Sequence, residues 1–150
     1  MGSVSLTGKD SIILDGRPIV DVGDGDVANL EFPNDIVAVK TGKNGNSIYA
    51  FNATGNMSTL TLRVLVGSAD DKWLNSRFYE YKNDPPAFIT FDASFVKRAG
   101  DGKGNIAPIT YTMSGGIITR LPAAKENAEG DTEQAVAVYT ISFTNADRSL

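Results

Sequence analysis

The stretch 57–66 alternates along its whole length: Leu60, Leu62, Val64 and Val66 fall on one side, and Thr59, Thr61, Arg63 and Leu65 on the other. Extended chains turn successive side chains to opposite faces, whereas a helix repeats every 3.6 residues. The run therefore predicts a strand with one apolar face on a core. Its other face carries a single charge, which suits a wet surface or one covered by another subunit. Further short apolar runs surround it. Segments 11–14 and 19–22 flank Asp15-Gly16-Arg17-Pro18, and Asp-Gly between apolar runs predicts a β-hairpin. Segment 27–32 stops at the turn cluster Pro33-Asn34-Asp35, and 36–39 resumes as a strand. Gly42-Lys43-Asn44-Gly45-Asn46 predicts an exposed loop with an Asn-Gly-type turn. Segment 47–53 follows as a strand, with Ile48 and Ala50 on one face and Tyr49 and Phe51 on the other, before a turn at Thr54-Gly55-Asn56.

One segment, 68 to about 82, has helical periodicity. Ser68 followed by Asp71 fits an N-cap with acid in the first turn. Trp73, Leu74, Phe78 and Tyr81 form an apolar stripe, and Asp84-Pro85-Pro86 ends the helix. A strand over 87–96 leads to a charged, glycine-rich hairpin tip over 97–105. A long β segment over 106–121, bulged at Gly115-Gly116, precedes a polar, acidic loop over 122–133. A last strand covers 135–143, and 145–150 is a tail. There is no linker composition and no internal repeat. Residues 1–150 thus predict a single mainly β domain. Its expected form is an antiparallel sandwich or flattened barrel with one packed α-helix.

Composition narrows the chemistry. The chain has no cysteine, which excludes disulfides, thiolate catalysis and thiolate metal sites. It has no histidine, which removes the usual general base and the commonest transition-metal ligand. Carboxylate-only chemistry, as in glycosidases, remains. The net charge of −4, with no basic run, argues against tight binding to a phosphate backbone. No apolar run is long enough to span a bilayer. The N-terminus lacks a basic region followed by an apolar core, so synthesis in the cytoplasm is expected.

Four constellations invite chemistry. Asp21-Val22-Gly23-Asp24-Gly25-Asp26 is acidic enough for a calcium loop but lacks a twelfth-position Glu and flanking helices, so it fits an acidic connection better. Gly100-Asp101-Gly102-Lys103-Gly104-Asn105 resembles a phosphate loop, but strands are expected on both sides where a helix should follow. The Trp73 stripe fits core, with Trp73 able to touch a neighbour at its edge. The acid pairs Asp70 with Asp71 and Glu126 with Glu129 fit solvated surface. The expectation is a protein that is not an enzyme and uses no cofactor and no metal.

The order of features from Asn44 to Phe78 carries a resemblance. A Gly-rich turn, Ser47-Ile48-Tyr49-Ala50-Phe51-Asn52-Ala53-Thr54-Gly55, the strand Leu60-Thr61-Leu62-Arg63-Val64-Leu65-Val66 and a helix opening Gly67-Ser68-Ala69-Asp70-Asp71 follow in sequence. With Trp73-Leu74-Asn75 in the helix, and a long strand, an irregular loop and a final strand at the end, this resembles the tail tube proteins of long-tailed, particularly contractile-tailed, bacteriophages. The acidic stretch 122–133 has no counterpart in that pattern. The resemblance implies a structural virion protein, made in the host cytoplasm, that forms stacked hexameric rings. Inner sheets would join into a channel for the genome and the tape measure protein, with no specific DNA binding and no membrane insertion. Tail sheath and a baseplate or tube initiator would be its other partners. Gly42, Lys43, Asn44, Trp73, Lys97, Arg98 and Lys103 are the candidates for contacts between copies. Asp21, Asp24, Asp26, Asp70 and Asp71 are the candidates for an acidic channel lining, which would repel phosphates. The alternatives are a ring or hub protein of a related injection or type VI secretion machine, and a carbohydrate-binding β-sandwich. The scattered aromatics and single Trp speak against the second.

Overall fold

The computed structural model describes residues 3–6, 8, 10–23, 27–126, 128, 130 and 132–150, with the backbone alone at 133. In chain order the strands are β1 (Ser5–Leu6), β2 (Ser11–Leu14), β3 (Arg17–Pro18), β4 (Ala28–Glu31), β5 (Val37–Thr41), β6 (Ser47–Phe51) and β7 (Ser58–Leu65). Helix α1 (Ala69–Asn83) follows, then β8 (Phe91–Gly100), β9 (Ile106–Arg120), β10 (Val136–Phe143) and β11 (Asn145–Ser149). All strand pairs are antiparallel. One sheet runs β3-β2-β8-β9-β11, with β1 on the far end of β8. The other runs β9-β10-β7-β4. The fold is thus mainly β with one helix, as the alternation predicts, and it is an open sandwich, not a closed barrel.

Strand β9 belongs to both sheets because it is bulged where the sequence carries Gly115-Gly116. Phe91 lies opposite Gly116 and Ala93 opposite Met113, so the one residue between them on β8, Asp92, faces two on β9, Ser114 and Gly115. Gly115 has φ +68°, and a Cβ at Gly116 would lie 2.5 Å from the Phe143 ring. Only glycine lets the chain pass there and re-aim towards β10.

The inward faces meet in one core. Leu60, Leu62 and Val64 of β7 join Tyr139, Ile141 and Phe143 of β10, Leu14 of β2, Phe91 and Ala93 of β8 and Met113 of β9. Phe91 and Phe143 meet edge to face across the sandwich, with centroids 6.1 Å apart and planes at 88°. Burying each such side chain contributes roughly 1.5–3 kcal/mol. Helix α1 adds Leu74, fully buried, and lays Trp73 and Phe78 against the core. Tyr81 instead meets Phe88 edge to face at 5.5 Å and stays partly exposed. Val66 is also exposed, because β7 ends at Leu65 and the chain turns at Gly67, φ +78°.

Three segments depart from the sequence expectation. Asp15 and Gly16 both have positive φ, at +50° and +77°, the two-residue turn that Asp-Gly favours. Pairing therefore resumes at Arg17 and ends with the 2.9 Å bond from the Ile19 amide to the Ile12 carbonyl, and Val22 crosses to bridge Val64 of the other sheet. The expected return strand over 19–22 is not one, because the amides of Val20 and Asp21 are taken by the Asp70 carboxylate. Second, Pro85-Pro86-Ala87 forms a 3₁₀ turn, so β8 begins at Phe91 and keeps Lys97 and Arg98 in the strand. The tip contracts to residues 101–105, where the Asp101 carboxylate accepts from the amides of Lys103 and Asn105. Third, the expected tail is strand β11, paired with Thr110 to Ser114 of β9. That edge is open because β10 pairs with the later half of β9.

Candidate assembly surface

Strands β5 and β6 form a separate two-stranded sheet. Val37 faces Phe51, Val39 faces Tyr49 and Lys40 faces Ile48. Every residue of both strands is exposed. Tyr49 is 71% and Phe51 74% accessible, beside Val37 and Val39 on the same face. Between Ile36 and Phe51 the charges are Lys40 and Lys43, with no acid. An isolated hairpin is marginal in water, and an exposed apolar sheet with free edges invites pairing. The tip holds Gly42, Lys43 and Asn44, closed by a 3.0 Å bond from the Gly45 amide to the Gly42 carbonyl.

The base of this hairpin is built firmly. The Asn52 amide donates to the Ile36 carbonyl at 2.7 Å. The Asn52 side chain accepts from the amide and hydroxyl of Thr54 at 3.2 and 2.8 Å. A Cβ at Gly55 would lie 2.5 Å from the Ile36 Cα, so the chain closes there only with glycine.

The helix start is a second cluster. Asp70 is 1% accessible and pairs with the Arg17 Nε at 3.0 Å. The same carboxylate accepts from the amides of Val20 and Asp21, each at 2.8 Å. Burial pushes its pKa up, but the Asp21 and Val20 amides and Arg17 outweigh this and hold it below the ordinary value. Asp71 accepts from the Tyr139 hydroxyl at 2.6 Å and from the Gly67 amide at 2.8 Å. Burial and that carboxylate push the Tyr139 phenol well above its usual range. The Ser68 hydroxyl accepts from the Asp71 amide at 3.2 Å, the expected cap. Tyr139→Phe removes one such bond and should lower the urea midpoint by the equivalent of about 1 kcal/mol; an unchanged midpoint would mean the contact adds nothing.

These contacts correct part of the sequence expectation. Asp70 is not the solvated surface acid expected of its pair with Asp71: a carboxylate this buried, with three donors on it, is a fastening. Asp71 has both oxygens engaged inside the chain. Asp21 is half-buried, and Asp24 and Asp26 lie outside the described residues, as does Glu129 of the second acid pair. Trp73 is half-buried, its ring 6.4 Å from Phe91 with the Arg17 guanidinium 5.7 Å from its centroid. Lys97 reaches Asp10 at 3.8 Å, and the Arg98 amide donates to the same carboxylate at 3.0 Å. Lys103 sits exposed on the 101–105 tip. The structure thus gathers Trp73 with Asp70 through Arg17, and Lys97 with Arg98 at Asp10, and leaves Gly42, Lys43, Asn44 and Lys103 at loop tips. The apolar flanks of the β5–β6 hairpin were missed as a surface. Their signal was apolar residues on both faces of a run without acids. Among the described residues no group of acids is placed to hold a metal ion, and no helix is long and apolar enough to cross a membrane.

No protein-family model matches the chain, and no curated protein matches it. Solved structures do. A chain of the sheath-tube complex of PVC, an extracellular contractile injection system, in the extended state superposes with TM-score 0.59 at 12% identity, covering 93% of this chain and 87% of that one. The tube-terminating cap of the anti-feeding prophage gives 0.60 at 15% identity, covering 97% and 90%. The PVC sheath/tube terminator in the extended state gives 0.57 at 15%, covering 94% and 93%. The chain thus has a tail-tube-like fold, the fold of tube and tube-terminating proteins of contractile injection systems.

Proposed function

We propose that this chain is a structural subunit of a phage tail tube, building stacked hexameric rings whose channel carries the genome. The observation that carries this reading is the uncovered, basic and apolar β5–β6 hairpin on a tail-tube-like fold. A monomer with such a hairpin has a reason to associate with its own kind, because covering Tyr49 and Phe51 removes apolar area from water. Rings of one chain, with the hairpin tip at Gly42, Lys43 and Asn44 and the exposed Lys103 tip as contacts, extend head to tail. Sheath, baseplate initiator and tape measure protein are its partners in the virion, and the role needs no catalysis. The acidic surplus of −4 keeps phosphates from sticking as DNA passes. A second reading, the tube or cap of a contractile injection machine, is favoured by the three similar structures, which are parts of such a machine or of the anti-feeding prophage.

Negative-stain electron microscopy of the concentrated protein tests the proposal. Rings or tubes with a central hole are expected, and Tyr49→Asp with Phe51→Asp should leave a folded monomer that forms neither. Monomers alone, even with sheath and baseplate added, would overturn it. DNA in tubes recovered from particles separates the two readings.

A further inference from the structure

Asn44 is the sole asparagine of the chain that is followed by glycine. It stands exposed at the tip of the β5–β6 hairpin, in a turn closed by the 3.0 Å bond from the Gly45 amide to the Gly42 carbonyl. Gly45 has φ +83°, and nothing lies within 4 Å of the place a Cβ would occupy there, so its backbone is bare on that side. Other asparagines are tied down. The carboxamides of Asn29, Asn34, Asn52 and Asn105 each make a hydrogen bond to a neighbouring group. Asparagine is a chemically labile residue that heat-adapted proteins use sparingly, and its lability is greatest where the next residue has no side chain to shield its nitrogen.

We propose that Asn44 is a site of spontaneous deamidation, open to reaction in the free chain and closed by assembly. The second half rests on the self-assembly reading above. The Gly45 nitrogen gives its proton to solvent base and bonds to the Asn44 Cγ. The Cγ–Nδ2 bond breaks, and the nitrogen takes up a proton from water and leaves as ammonia. Water then opens the succinimide at either carbonyl, which leaves an aspartyl or an isoaspartyl linkage at position 44. The turn gates this reaction, because the Gly42 carbonyl holds the proton that the Gly45 nitrogen must lose. The gate is weak: every residue of β5 and β6 is exposed, and a lone two-stranded hairpin is marginal in water, so its tip opens far more often than the core. The product alters the tip. Between Ile36 and Phe51 the charges are Lys40 and Lys43, and deamidation sets a carboxylate beside Lys43. The isoaspartyl form also adds a backbone atom inside the turn, which breaks its closing bond. A chain so changed meets a neighbour with a different tip.

The unmodified chain is held in mildly alkaline buffer as dilute free protein, as assembled tubes and unfolded in urea, and sampled over time. Trypsin cuts after Lys43, so each sample releases a peptide that begins at Asn44. Mass spectrometry should find acid in place of amide at Asn44, as separable aspartyl and isoaspartyl forms. The gain should be fastest in urea, about tenfold slower in the folded free chain, and lost in tubes. Asn44→Gln should abolish it, because the larger ring needed closes far more slowly. When aged protein is assembled, the modified form should be several-fold enriched in the unassembled fraction. No gain in the free chain, or an equal gain at Asn46 or Asn52, would overturn the site. A rate in the folded chain equal to that in urea would overturn the gate, and a rate in tubes equal to that in the free chain would overturn the protection by assembly. If no tubes form, the tube reading falls, and the free and unfolded samples still decide the site.

Discussion

Asp70→Ala is expected to lower stability by about 3 kcal/mol, because it strands two amides and part of a cation that were satisfied by one carboxylate. The carboxylate joins three separate pieces of chain: the helix start, the hairpin strand through Arg17, and the crossing segment through Val20 and Asp21. Arg17 is 37% accessible, so solvent can recover part of its loss. The two amides gain less relief, since residues 20 and 21 are held in place by the Val22 bridge to Val64 and the 3.0 Å bond from the Leu65 amide to the Asp21 carbonyl. For a domain of this size the loss corresponds to a fall in Tm of roughly 6–12 °C. The pH dependence follows from the sign of the shift. The folded pKa lies below the ordinary 3.8, so the stabilisation is complete above that value and is lost as pH falls through the folded pKa. The gap between wild type and Asp70→Ala should therefore be widest at neutral pH and narrow in acid. Urea unfolding at pH 7 and near pH 3 measures it; an equal gap at both would mean the carboxylate charge is not what fastens these segments.

Phe143→Ala is expected to cost about 4 kcal/mol, the usual loss for a fully buried aromatic that leaves a cavity. Its ring is inaccessible, stands edge-on to Phe91 and lies over the glycine where β9 changes sheets. The neighbours cannot collapse into the space without moving that bulge. Thermal unfolding of the dilute monomer should show a fall in Tm of roughly 8–16 °C. The contrast is Phe51→Ala, an aromatic of the same type that is 74% exposed. It should change monomer stability by no more than about 0.5 kcal/mol, while weakening assembly. If Phe51→Ala unfolded the monomer as readily as Phe143→Ala, the hairpin would belong to the core and not to an interface.

The difference between those two phenylalanines shows where sequence reading stops. Both sit in alternating runs, and alternation fixes only which side chains share a face. For β7 the apolar face was legible because the opposite face carries Thr59, Thr61 and Arg63. For β5 and β6 both faces carry apolar residues, so the pattern could not say whether either was covered. The bulge at Gly115-Gly116, the turn at Asp15-Gly16 and the Ser68 cap were legible because each depends on local backbone geometry. The strand at 145–149 was not, because its partner edge exists only after β9 has bent away from β10.

Asp70 and Asp71 make the same division at a single helix turn. The sequence by itself determined that two carboxylates open a capped helix, where the helix dipole favours them. It also determined a mainly β fold without thiol or imidazole chemistry. Only the tertiary structure decided that Asp70 is buried against Arg17 and that Asp71 receives Tyr139, 68 residues away along the chain. It alone left the β5–β6 hairpin bare. The reason is physical: periodicity and capping act between residues a few positions apart, whereas burial depends on which distant segments the sheets bring together.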